Sequence, residues 1–155
     1  MTESSDYESG SGSFGDIRLD DGVDVIDSGA DESSVYGRIA HTPSDRHSLF
    51  LRFNRYRADD AGFGLVDPPA IGDDSGTLIR ILYPFQDFDR YTVGYRGTAL
   101  DTAIADNAEI QVYHQTNERQ LVNDIDINIG PLFPGAPDSM VEADTNNFTD
   151  LDTLG

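Results

Sequence analysis

The chain has 155 residues, 37% of them hydrophobic, with 29 acidic residues set against ten arginines and a formal net charge of −19. That length accommodates one domain with a core of its own, and the hydrophobic content is too high for wholesale disorder. Cysteine and lysine are both absent. The missing cysteine excludes a disulfide framework and a thiolate site, and no apolar run approaches the ~18 residues of a membrane-spanning helix.

Residues 1–33 hold ten acids and one arginine, a net −9. The opening MTESSDYESG lacks the basic and apolar regions of a secretory signal, so export by that route is not expected. SSDYESGSGSFGD has the composition of a flexible linker, with Tyr7 and Phe14 as isolated anchors for another surface. Ile17 to Leu19 and Val23 to Ile26 are short strands that pair if Asp20-Asp21-Gly22 turns the chain.

Residues 34–129 carry fourteen acids and nine arginines, a net −5, and the region reads as β throughout. Val35 to His41 is a short strand. His47 to Arg57 alternates, with Leu49, Leu51 and Phe53 on one side and Phe50, Arg52, Asn54 and Tyr56 on the other. Asp59-Asp60, Pro68-Pro69 and Gly72 to Gly76 punctuate the chain. Thr77 to Tyr83 is rich in β-formers, and Arg90 to Arg96 sets Tyr91, Val93 and Tyr95 on one face. Thr98 to Asp106 is the one segment with a short-helix pattern. Glu109 to His114 alternates Ile110 and Val112 against Gln111 and Tyr113. Val122 to Ile129 alternates three isoleucines against Asp124, Asp126 and Asn128. Residues 130–155 carry five acids and no arginine. Pro131, Pro134 and Pro137 exclude a helix or a central strand there, so an extended arm anchored by residues such as Phe148 is expected. The pattern predicts an all-β fold: a single antiparallel β-sandwich or jelly-roll-like barrel over residues 34–129, flanked by acidic arms at 1–33 and 130–155.

The acids are mostly aspartate, 23 of the 29. A short, strongly hydrated carboxylate suits concentrated salt, whereas the long apolar stem of lysine adds hydrophobic surface. At 1 M salt the Debye length falls to about 3 Å, which screens the self-repulsion of so acidic a chain. The composition therefore reads as that of a haloarchaeal protein or of a haloarchaeal virus.

Chemistry-bearing patterns are sparse. Asp124-x-Asp126-x-Asn128 has oxygen ligands at strand spacing, but calcium needs six to eight oxygens converging, usually from a loop, so a solvated face accounts for it. Asp59-Asp60 and Asp73-Asp74 are adjacent carboxylates of the kind used in acid–base work, yet pairs are expected by chance among so many aspartates. His41, His47 and His114 form neither an H-x-H nor an H-E-x-x-H pattern. GxSxG, GxGxxG and P-loop motifs are absent. No catalytic residue, metal site or cofactor is expected. Arg46, Arg52, Arg55 and Arg57 lie in or beside one strand with Phe50, Phe53 and Tyr56. Arginine interleaved with aromatics suits nucleic acid, but the acidic field opposes a phosphate backbone, so nucleic acid is not an expected partner. Guanidinium forks pairing with carboxylates fit better. The candidate subunit interface is accordingly Arg46, Arg52, Arg55 and Arg57, met by the acidic arms of a neighbour through Tyr7, Phe14 and Phe148.

In layout, a compact β domain between extended arms is similar to viral capsid, decoration and tail proteins, whose domains tile while their arms lace neighbours together. That resemblance implies a non-enzymatic virion component, homo-oligomeric or bound to other virion proteins, without a membrane span. Two alternatives are a surface ligand-binding β-sandwich using Tyr83, Tyr91, Tyr95 and Tyr113 as a stacking platform, and a carboxylate-metal enzyme.

Overall fold

The computed structural model describes residues 2–19, 22–66, 77–102, 104–129 and 140–155. The described residues are all β, without a helix. Six strands, β1 (Thr2–Phe14), β4 (Ala30–Ser44), β5 (His47–Gly62), β7 (Leu78–Gly97), β8 (Ala108–Asn128) and β9 (Met140–Leu154), form one antiparallel sheet in the order β1-β4-β5-β7-β8-β9. Three short strands, β2 (Ile17–Arg18), β3 (Asp24–Ile26) and β6 (Leu65–Val66), form a second sheet in the order β2-β3-β6. The expected hairpin between Ile17 and Ile26 is there, with Ile17 opposite Val25.

Several expectations are corrected. Thr77–Tyr83 and Arg90–Arg96 are parts of one strand of 20 residues, apart from Thr77 just before its start, and Glu109–His114 and Val122–Ile129 belong to one of 21, apart from Ile129 just past its end. Pro84, which has no N–H to give to a ladder, sits where the β7–β8 register shifts between Leu82 and Gln86. The extra residue keeps both strands continuous instead of ending them. The described residues between Thr98 and Asp106 form no helix: Ala99 and Asp101 take φ of 49° and 52°, outside the helical region. The ends of this segment are tied by Thr98 N–H to Arg46 O at 2.9 Å and Leu100 N–H to Asp106 O at 2.9 Å. Most of SSDYESGSGSFGD, expected as a flexible linker, lies in Thr2–Phe14, the outermost strand on one side, matched residue for residue with β4 from Thr2–Thr42 to Phe14–Ala30. Met140–Leu154 is the outermost strand on the other side, paired along β8. Pro68-Pro69, Gly72 to Gly76, Asp73-Asp74 and Pro131 to Pro137, read above as turns, a carboxylate pair and an extended arm, lie outside the described residues.

Residues opposite one another in register share a face. Leu49, Leu51 and Phe53 define one face of the large sheet, and Phe50 and Arg52 define the other. Among the described residues, the buried side chains all lie on the second. Its Ala40, Phe50 and Ala58 are 3–5% exposed and make up the buried apolar set. The Phe50 ring lies across Gly94, where a Cβ would overlap it. Arg52 covers the other side of that ring, its guanidinium 4.3 Å from the centroid. No large side chain is fully buried among the described residues.

Candidate functional site: the open leucine face

Five cross-strand rows cross the leucine face. The first is His41–Leu49–Tyr95–Ile110, the second Ile39–Leu51–Val93–Val112, and the third Tyr7–Gly37–Phe53–Tyr91–His114–Leu154. The fourth is Val35–Arg55–Asp89–Thr116–Asp152, and the fifth Ser33–Arg57–Asp87–Glu118–Asp150. Three apolar rows are thus followed along the strands by two charged ones.

The apolar rows are uncovered. Ile39, Leu49, Leu51, Tyr91, Val93, Ile110 and Val112 are each between 46% and 65% exposed. Three rows and four central strands span roughly 14 Å each way between backbones, and roughly several hundred Å² with side-chain width included. Tyr7, Ile39, Leu51 and Phe53 line a shallow apolar depression around Gly37, which no side chain covers. Phe53 and Tyr91 pack ring to ring at 5.1 Å, and Tyr95 bonds its hydroxyl to His47 Nδ1 at 2.7 Å. A patch of this size is a candidate contact surface.

The charged rows hold five acids and two arginines. Arg55 Nε donates to Asp89 at 2.9 Å, Arg57 donates to the same carboxylate, and Arg57 also lies 3.3 Å from Asp87. Burial opposes the charge on Asp89, but the hydrogen bonds from Arg57 and Arg55 outweigh it and hold the carboxyl below its ordinary value. The same logic operates at the small sheet. There the hydrogen bond from Arg80 lowers Asp27 against the smaller opposing effect of burial. Along the β8–β9 ladder acid faces acid: Glu118 faces Asp150, Asp124 faces Asp144, and Asp126 faces Glu142. Like charges directly opposite destabilise a ladder. Arg80, 3.5 Å from Asp124, meets one of these pairs.

The sequence-predicted interface residues are dispersed. Arg55 and Arg57 are on the leucine face. Arg52 is on the opposite face, stacked on Phe50, and Arg46 sits in the β4–β5 turn bound to Asp101 at 3.0 Å. Tyr7 joins the apolar patch, whereas Phe14 is at the far end of β1. Phe148 lies on the acidic end against Phe85, with ring centroids 5.7 Å apart. The four tyrosines of the ligand-platform alternative are also divided. Tyr91 and Tyr95 are in the patch, Tyr113 is on the opposite face under Arg90 at 4.1 Å, and Tyr83 packs on Phe63. The histidines do not converge: His47 bonds Tyr95, and His114 Nε2 meets Asp152 at 2.8 Å. No group of three metal-capable side chains occurs among the described residues. Among these residues no helix is long and apolar enough to cross a membrane. The patch itself was readable strand by strand from the alternation, but its extent depends on registers that alternation does not supply.

No protein-family model, curated protein or solved structure matches the chain.

Proposed function

We propose that this protein is a non-enzymatic subunit of a structural assembly working in concentrated salt, a virion shell, decoration or tail among the settings that fit its layout. The observation that carries the reading is the uncovered apolar end of the leucine face. A folded monomer of 17.0 kDa is expected to expose about 7,700 Å², whereas this chain exposes 10417 Å². The excess is on the order of the surface that obligate partners bury.

The missing layer is a second copy, laid face to face so that two sheets make the sandwich that one chain leaves half built. A two-fold axis between the sheets and perpendicular to the strands superposes apolar rows on apolar rows. It also sends the two acidic ends in opposite directions, so the charged rows do not meet. The acid–acid pairs along β8 and β9 support the high-salt setting, because screening relieves them. Light scattering on purified protein tests the reading. Dimers or larger species are expected in about 2 M salt, with dissociation as the salt is lowered toward about 0.1 M. A monomer at every salt concentration overturns it.

A further inference from the structure

The two outer strands carry a second interaction surface, independent of the patch. β1 spans 13 residues and β9 spans 15, and among the described residues no strand pairs with the outer side of either. Natural sheets blunt such edges with lysine, proline or bulges. Neither strand contains proline or lysine, and their ladders with β4 and β8 run without a register shift. Both are therefore long, straight templates of unpaired backbone N–H and C=O groups.

Apart from Glu3, in register with His41 at the start of β1, the acids on these strands occupy opposite faces. On β1, Asp6 and Glu8 lie on the Phe50 face, Asp6 reaching Arg38 at 3.6 Å, while the leucine-face positions from Ser5 to Ser13 are four serines and Tyr7. On β9, Asp152, Asp150, Asp144 and Glu142 all alternate onto the leucine face, and the opposite positions from Ala143 to Thr153 carry no charge. Two β9 strands joined about a two-fold axis normal to the sheet would set four carboxylates against four. Two β1 strands would do the same with Asp6 and Glu8. A β1 beside a β9 brings none of these acids opposite another. Six strands alternating in direction also make β1 and β9 antiparallel, so a neighbour's β1 continues the ladder of β9 in the geometry the sheet already uses.

We infer that copies of this chain join edge to edge, β9 of one to β1 of the next, in a head-to-tail contact that extends one continuous antiparallel sheet. The inference rests on the assembly reading above and names its contact. A head-to-tail contact closes into a ring or runs on as a filament. Because both edges belong to a chain of high negative charge, the junction forms as salt screens that charge.

The absence of cysteine makes the junction directly addressable. Ser9→Cys and Asn146→Cys place single thiols on the leucine face of the two edges. The variants are mixed in equal amounts in about 2 M salt and treated with a short bis-maleimide. The mixed adduct is expected to exceed either self-adduct by about fivefold, against about twofold for random encounter, and to vanish at low salt. Predominant self-adducts overturn the inference. So does the absence of adducts while the protein still forms face-to-face dimers, a result that leaves the assembly reading standing. A protein monomeric at every salt concentration fails both. Hydrogen exchange on the unmodified chain guards against misfolded variants: concentrating it in high salt should protect β1 and β9 amides together, and protection of neither refutes the junction.

Discussion

The two faces of the large sheet are built from the same alternation and meet opposite fates. On one, Phe50 is closed in by Gly94, Arg52 and the neighbouring Ala40, and is 5% exposed. On the other, Leu51 sits one residue away among Ile39 and Val93 and is 47% exposed. The difference lies in what covers each side. The Phe50 face covers its rings with arginine guanidinium groups, as at Arg52 on Phe50 and Arg90 on Tyr113. On the leucine face the middle apolar row is short and aliphatic, Ile39, Leu51, Val93 and Val112, and the rings of Phe53 and Tyr91 pack on each other and leave that row open. In the proposed assembly a second copy covers it.

Placing a charge on each face in turn breaks the comparison most sharply. Leu51→Asp puts a carboxylate in the centre of the apolar rows, and burying it against a partner costs several kcal/mol. Association in high salt, followed by light scattering, should weaken by at least about a hundredfold, with the monomer's strand signal in circular dichroism retained. Gln111→Asp, beside Ile110 but on the other face, should leave association nearly unchanged. Equal effects of the two would mean that the leucine face is not the contact.

The converse substitution acts on folding. Phe50→Ala removes the largest buried side chain and leaves Gly94 and Ala40 around a hole that such small groups cannot fill. A loss of about 3 kcal/mol is expected in denaturant titration of the monomer. Leu51→Ala, at a half-open site, should cost about 1 kcal/mol or less. If the two losses are equal, the faces do not differ in the way described.

The strand assignments of the middle region were legible because alternation reports which residues share a face. His47 to Arg57 and Arg90 to Arg96 lie on the faces their patterns predict. Alternation is silent on which face is covered, since Leu49-Leu51-Phe53 reads as more apolar than Phe50-Arg52-Asn54 and yet is the open one. It is equally silent on strand length. Gln86 to Asp89 and Gln115 to Gln120 look like loop sequence, and they are held in strands by the partners on either side. Thr2–Phe14 was the hardest segment to read. Serine and glycine have low β-propensity, and the strand exists because β4 offers it a ladder. The interface arginines were traceable to one strand, but a period of two sends Arg52 away from Arg55 and Arg57.

The smallest expected effect concerns the boundary between the apolar and charged rows. Asp89 anchors it, accepting hydrogen bonds from Arg55 and Arg57, and its carboxyl is held below the ordinary aspartate value of ~3.9. The unfolded chain therefore takes up the proton first as pH falls. The stability Asp89 contributes is complete above about pH 4 and is lost as the pH drops through the depressed folded-state value. Asp89→Asn keeps the shape and removes the charge. It should lower stability near neutral pH by on the order of 1 kcal/mol, the pairs being partly open to solvent. It should also flatten this part of the acid limb, as thermal melts between about pH 2 and 5 would register. Asp27→Asn should act in the same direction at the small sheet, through Arg80. Of the two, only Asp89→Asn should also shift the salt dependence of association, because it frees Arg55 and Arg57 beside the patch, whereas Asp27 belongs to a separate ion pair. Identical salt profiles for the two variants would place the functional boundary of the leucine face somewhere other than its fourth row.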